Sequence, residues 1–161
     1  MTVEATLQTA TQAVTLDGTD DYIGTPLDID QSGSSPGATY EAWVYPTSTS
    51  SGRHQVISSD NGGFDWSLLR EGGEWYVFTG GGSEPTGFSV DTGTWQHLAV
   101  VFDRPAGEIR VYKDGQETVL SSISTDTGDS PVAIGQNPGG GEYFAGRVDE
   151  VRIWNSLRTQ T

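Results

Sequence analysis

Short apolar, β-branched and aromatic runs recur about every ten residues from Ala13 to Trp154, each stopped by Gly, Pro, Asp, Asn or Ser. That rhythm suits strands crossing a layer and turning back. No stretch has the 3.6-residue apolar period of a useful amphipathic helix, and no repeat of 20–50 residues stands out. The turns carry their own chemistry. Lys113-Asp114-Gly115-Gln116 lies between two apolar runs, and an Asp-Gly pair there accepts the positive φ of a tight hairpin. Pro46 ends the run from Thr39 to Tyr45 because it brings no ladder donor. With 22 glycines and abundant Ser and Thr, the chain reads as all-β, a two-sheet antiparallel sandwich or jelly roll.

Length suits one domain with a sizeable core. The expected division is a polar segment over 1–11, a folded domain over 12–158 and a short tail over 159–161. There is no cysteine, so no disulfide framework and no thiolate zinc site. No apolar run is long enough to cross a bilayer and no signal peptide opens the chain, so no membrane insertion is expected. Met1 before a Thr-rich stretch reads as a start residue ahead of an excised domain. Eight Lys and Arg face 22 Asp and Glu, a formal charge of −14. That balance argues against nucleic acid and anionic membranes, which demand basic patches. It suits salty or cation-rich surroundings, and calcium sites would account for only a few of the carboxylates.

Through Val148 to Trp154 apolar and polar residues alternate as in a strand. One register holds Val148, Glu150, Arg152 and Trp154, the other Arg147, Asp149, Val151 and Ile153. The latter reads as the core face, which would bury Asp149. A buried carboxylate needs hydrogen bonds, a counter-charge or a metal. Asp149 is therefore expected to have a strong partner.

Four segments now carry a resemblance: Leu16 to Ile23 (LDGTDDYI), Tyr40 to Pro46 (YEAWVYP), Gly93 to Asp103 (GTWQHLAVVFD), and Phe144 to Trp154. In order and spacing the chain resembles laminin-G-like, concanavalin A-like jelly rolls over about residues 12–158, a group that includes pentraxins, legume-lectin-type folds and some β-glucanases. The resemblance implies a first and a last strand that are neighbours in one sheet, with ligands taken on a concave face or on rim loops. It also implies an extracellular or cell-surface setting within a larger multidomain protein.

It implies two calcium positions. Pentraxins hold calcium with an Asp-Asn pair on one rim loop and acidic or amide residues on a second. Asp60 and Asn61 match the pair, and Glu142 falls at a ligand position. Asn137 stands where that family has a carboxylate, while Pro138 and Gly139 replace two further ligands, so the match is partial. The alternative is that Asp60-Asn61-Gly62-Gly63 is only a turn. Glucanase-like relatives instead hold a structural calcium between the first and last strands, which would gather Asp17, Asp20, Asp21 and Asp149. Here the alternative is that Asp149 accepts backbone N–H groups or pairs with Arg147 or Arg152.

Aromatic rings can stack on sugars. Trp66, Trp75 and Tyr143 are the candidates for a ligand surface, whereas Trp43, Trp95 and Trp154 read as core. Related glucanases place two carboxylates on one strand; here Glu71 and Glu74 flank a Gly-Gly turn, and Asp149 and Glu150 face opposite ways. The expectation is a non-catalytic recognition or adhesion domain binding glycan or protein through rim loops with calcium. The alternatives are a structural spacer and, less favoured, a glycosidase relative.

Overall fold

The computed structural model describes residues 12–29, 36–60, 66–79, 82–122 and 130–159. The expected polar segment 1–11 lies outside them. The described residues form twelve strands and no helix. They are β1 (Val14–Asp17), β2 (Ile23–Gly24), β3 (Gly37–Pro46), β4 (Arg53–Ser58), β5 (Ser67–Glu71), β6 (Glu74–Thr79), β7 (Gly82–Ser89), β8 (Gln96–Asp103), β9 (Glu108–Lys113), β10 (Gln116–Ser121), β11 (Ala133–Ile134) and β12 (Ala145–Trp154). They make two six-stranded antiparallel sheets, ordered β1-β12-β3-β8-β9-β10 and β2-β11-β4-β5-β6-β7. The first and last strands pair as expected, with Val14 opposite Val148 and Asp17 opposite Ala145. The first and last of the described strands are thereby tied into one sheet.

Side-chain alternation builds the core. On β3, Tyr40, Ala42 and Val44 point inward, as do Leu98, Val100 and Phe102 on β8 and Ile109 and Val111 on β9. Ile57, Leu68, Trp75 and Val77 answer from the second sheet. Two contacts lock the layers together. Trp66 stacks on Phe102 with centroids 5.4 Å apart, and the Trp75 indole N–H donates to Gln96 Oε1 at 3.1 Å. These contacts correct the assignment of Trp66 and Trp75 to a ligand surface, for the rings are only 2% and 0% exposed. A large ring facing the opposite sheet fills space that no ligand can reach.

The turns behave as their residues require. Asp114 and Gly115 have φ of 50° and 81°, and Lys113 pairs with Gln116 across the hairpin. In the β1–β2 turn Gly18 has φ +81°, and a Cβ there would stand 2.7 Å from that of Ala145.

The last strand departs from the expected alternation. Asp149 is opposite Trp43 and Arg152 is opposite Glu41, so Glu150 and Val151 together face the single residue Ala42. This is a β-bulge. Glu150 takes it up with φ +50°, a backbone region that L-residues other than Gly, Asn and Asp rarely enter. The extra residue resets the parity. Val148 is buried before the bulge, and Val151 and Ile153 pack on the core after it. Asp149 shares the outward face with exposed Trp43 and is half-buried, not in the core as the alternation suggested. Its Oδ1 accepts the Glu150 N–H at 2.8 Å, a local bond that helps shape the bulge.

Candidate functional site

Two rim loops meet beside β4. One follows β4 at Ser59 and Asp60, and the other joins β11 to β12. Asp60 is 4% exposed, and Asn137 Nδ2 donates to its Oδ2 at 3.0 Å. Asn137 Oδ1 in turn accepts the Gly139 N–H at 2.8 Å, which fixes the amide with its nitrogen toward Asp60. The hydrogen bond thus joins the two loops where a bridging cation would otherwise join them. Glu142 has φ +54°, and its Oε2 accepts Gln55 Nε2 at 2.5 Å, while its carbonyl accepts the Gln55 N–H at 2.9 Å. Gln55 was not anticipated. Its Oε1 is buried with no hydrogen-bond partner among the described residues, which leaves a hard oxygen beside the Glu142 carboxylate. Nothing in the sequence distinguishes this glutamine from an ordinary strand residue. Asn61 lies outside the described residues. Asp60 and Asn137 therefore meet across the two loops, while Glu142 is held on Gln55 near the start of β4.

Tyr143 is half-buried on the same loop, and its carbonyl accepts His54 Nδ1–H at 2.7 Å. Close by, fully buried Arg70 donates to the Ser50 carbonyl at 2.9 Å and to Ser50 Oγ at 3.1 Å. Burial lowers the pKa of its guanidinium. These bonds hold the loop between β3 and β4 against the rim.

The second candidate is the β1–β2 turn. Asp17, Asp20 and Asp21 are exposed, and each offers an oxygen within 4.8 Å of the other two. Asp17 Oδ1 accepts the Thr19 N–H at 2.7 Å and the Asp20 N–H at 3.3 Å, and Asp21 Oδ2 accepts the Asp17 N–H at 3.1 Å. The Thr19 N–H, helped by those of Asp20 and Asp21 against a partial desolvation, holds the Asp17 carboxyl below its ordinary pKa of 3.8. Three hard oxygens on an open turn suit a calcium ion completed by water. Asp149 is not part of this group. Asp17 pairs with Ala145, four residues before Asp149 on β12, or about 13 Å along a strand.

The aromatic residues sort by sheet face. Trp43, expected in the core, is 41% exposed and meets the His97 ring edge-on at 5.3 Å. Trp95 and Trp154 are half-buried on the same outer face. The Tyr45 ring lies 5.5 Å from Trp95 and takes the Arg147 guanidinium at 5.1 Å. The signal for Trp43 was present in the alternation Tyr40-Glu41-Ala42-Trp43-Val44, in which it shares a parity with Glu41. Glu71 and Glu74 are register partners across the β5–β6 hairpin. Glu71 is bound by Arg53 at 3.7 Å and by Ser83 Oγ at 3.3 Å, and Glu74 by the Gly87 N–H at 2.9 Å. Both carboxylates thus have structural partners.

Among solved structures the chain is similar to a protein of Bacteroides ovatus provisionally described as carbohydrate-binding, with a TM-score of 0.68 and 21% identity over 91% of this chain and 44% of that one. The chain thus spans less than half of that relative. It is similar to the heptameric SAP-like pentraxin of Limulus polyphemus, with a TM-score of 0.68 and 17% identity over 90% of this chain and 76% of that one. It is also similar to the CBM40 domain of the Ruminococcus gnavus IT-sialidase bound to α2,3-sialyllactose, with a TM-score of 0.66 and 12% identity over 92% of each chain. No curated protein sequence matches it. At these identities the likeness is one of fold. The laminin G family model described as the concanavalin A-like lectin/glucanases superfamily matches residues 17–161, and the chain belongs to that superfamily.

Proposed function

We propose that this chain is a non-catalytic recognition domain that binds glycan at a cell or matrix surface, as one module of a larger extracellular protein. Calcium bound at the rim or at the β1–β2 turn assists it. The reading rests above all on the likeness over 92% of the chain to a sialidase's carbohydrate-binding module that is bound to a sialylated sugar. The state of Glu71 and Glu74, each held by a structural partner, supports binding over catalysis. At the rim, Gln55 Oε1 and the carboxylates of Asp60 and Glu142 are the oxygens that would hold a cation. At the turn they are those of Asp17, Asp20 and Asp21.

A second reading is a structural spacer stabilised by calcium. The group of Asp17, Asp20 and Asp21 favours it, because a calcium held there would brace the turn after the first strand. A glycan array with calorimetry, in calcium and in chelator, separates the two. Glycan bound in either condition supports recognition. A calcium-raised melting temperature with no glycan bound supports the spacer.

A further inference from the structure

The outer face of the β1-β12-β3-β8-β9-β10 sheet carries an arrangement that the rim does not explain. Residues two apart on β3, Trp43 and Tyr45, each meet an aromatic neighbour from β8 or the residue before it: Trp43 meets His97 at 5.3 Å and Tyr45 meets Trp95 at 5.5 Å. On the other side β12 sets Asp149 opposite Trp43 and Arg147 opposite Tyr45. The floor is therefore a terrace of rings, with an acceptor and a donor along one edge.

We propose that this terrace is a docking face for a neutral oligosaccharide, with a pyranose ring laid on Trp43 and its hydroxyls reached by Asp149, Arg147 and His97. The inference deepens the recognition reading and rests on it, and it puts the sugar on a sheet face rather than on the rim loops. An exposed indole offers an apolar plane to the C–H side of a sugar, and the polar groups beside it orient the ligand.

Charge selects the occupant. The chain has 22 acidic and eight basic residues, yet around Trp43 and His97 the acids Glu41, Asp114, Asp149 and Glu150 meet Arg147, Arg152 and Arg158, four against three. Arg152 pairs with Glu41 at 2.7 Å and also with Glu150. Arg158 lies over the Trp154 ring at 5.4 Å. A patch with this slight acidic excess, on a chain of formal charge −14, fits an uncharged polyhydroxylated ligand better than a polyanion. A second copy of the chain would bring another −14 against it.

The test is titration of array-selected neutral, sialylated and sulfated oligosaccharides into wild type, Trp43→Ala, Trp43→Phe, Arg147→Ala and Asp60→Asn, with melting curves for each. The expected result is a neutral glycan whose affinity falls at least ten-fold in Trp43→Ala, recovers partly in Trp43→Phe and falls in Arg147→Ala. If Trp43→Ala does not fold, Trp43→Phe and Arg147→Ala carry the test, and unchanged affinity in both overturns the terrace. Binding that survives Trp43→Ala but is lost in Asp60→Asn also overturns it, while leaving the recognition reading intact. A preference for sulfated or sialylated ligands overturns the neutral assignment. A dimer in sedimentation that Trp43→Ala dissociates overturns the sugar as occupant. Failure of wild type to bind any glycan overturns both readings.

Discussion

Asp149 sits opposite Trp43 on the outer face of the sheet, and its carboxylate turns back to the N–H of the next residue. A carboxylate placed there is not a stability keystone. Asp149→Ala is expected to cost under about 1 kcal/mol, the range of surface changes, and not the several kcal/mol of a broken buried pair. Urea denaturation would measure it. A loss above about 3 kcal/mol would show that the bulge depends on this side chain far more than one local bond explains.

Glu150 holds the bulge at φ +50° without the freedom of a glycine. Relief of about 1–2 kcal/mol of left-handed strain, set against about 0.5–1 kcal/mol for ordering a glycine, should leave Glu150→Gly more stable by about half a kcal/mol. Its exposed contact with Arg152 adds little, and Arg152 keeps Glu41. The denaturation midpoint should rise at constant m-value, and Glu150→Val should lower it.

The Trp75–Gln96 bond joins the two layers inside the core. Gln96→Ala leaves a buried indole N–H unpaired and should cost about 1–3 kcal/mol. Trp75→Ala opens a large cavity and should cost about 3–5 kcal/mol. At temperatures where both variants remain folded, glycan affinity should match wild type. A selective loss of affinity in folded Trp75→Phe would return this ring to the ligand surface.

Calcium should raise the melting temperature, because a metal held only by the native state stabilises by mass action, about 2.7 kcal/mol at a hundred times Kd. If the β1–β2 turn holds it, Asp17→Asn and Asp21→Asn abolish the shift and Asp60→Asn keeps it; if the rim holds it, the pattern reverses. Scanning calorimetry across a calcium series reads both.

Acid should weaken the β1–β2 turn in a defined window. The folded-state pKa of Asp17 is held below 3.8, so its contribution is complete above about pH 4 and is lost as pH falls through the lower folded value. Amide exchange of Thr19, read as protection against the intrinsic rate at each pH from about pH 5 to about pH 2.5, should lose protection below about pH 4 in wild type, and Asp17→Asn should flatten that response.

Much of the architecture was legible because it is written locally. Asp114-Gly115 marks its own hairpin, Pro46 ends β3, and the alternation through β3 and β8 names the inward set Tyr40, Ala42, Val44, Leu98, Val100 and Phe102. The Asp17, Asp20 and Asp21 group was equally legible, since one tight turn must bring three nearby carboxylates together.

What the chain alone did not settle depends on partners distant in sequence. The bulge at Glu150 exists only in the pairing of β12 with β3, and that extra residue moved Asp149 from the expected core face to the surface. Trp66 and Trp75 are buried because Phe102 and Gln96 approach from the opposite sheet, and Trp43 is exposed because nothing covers its side of β3 among the described residues. A strand's two faces are fixed in relation to each other by the pleat, but which one meets another layer is decided by packing. The period of the pattern thus belonged to the sequence, whereas its phase after the bulge and the fate of each indole belonged to the tertiary structure.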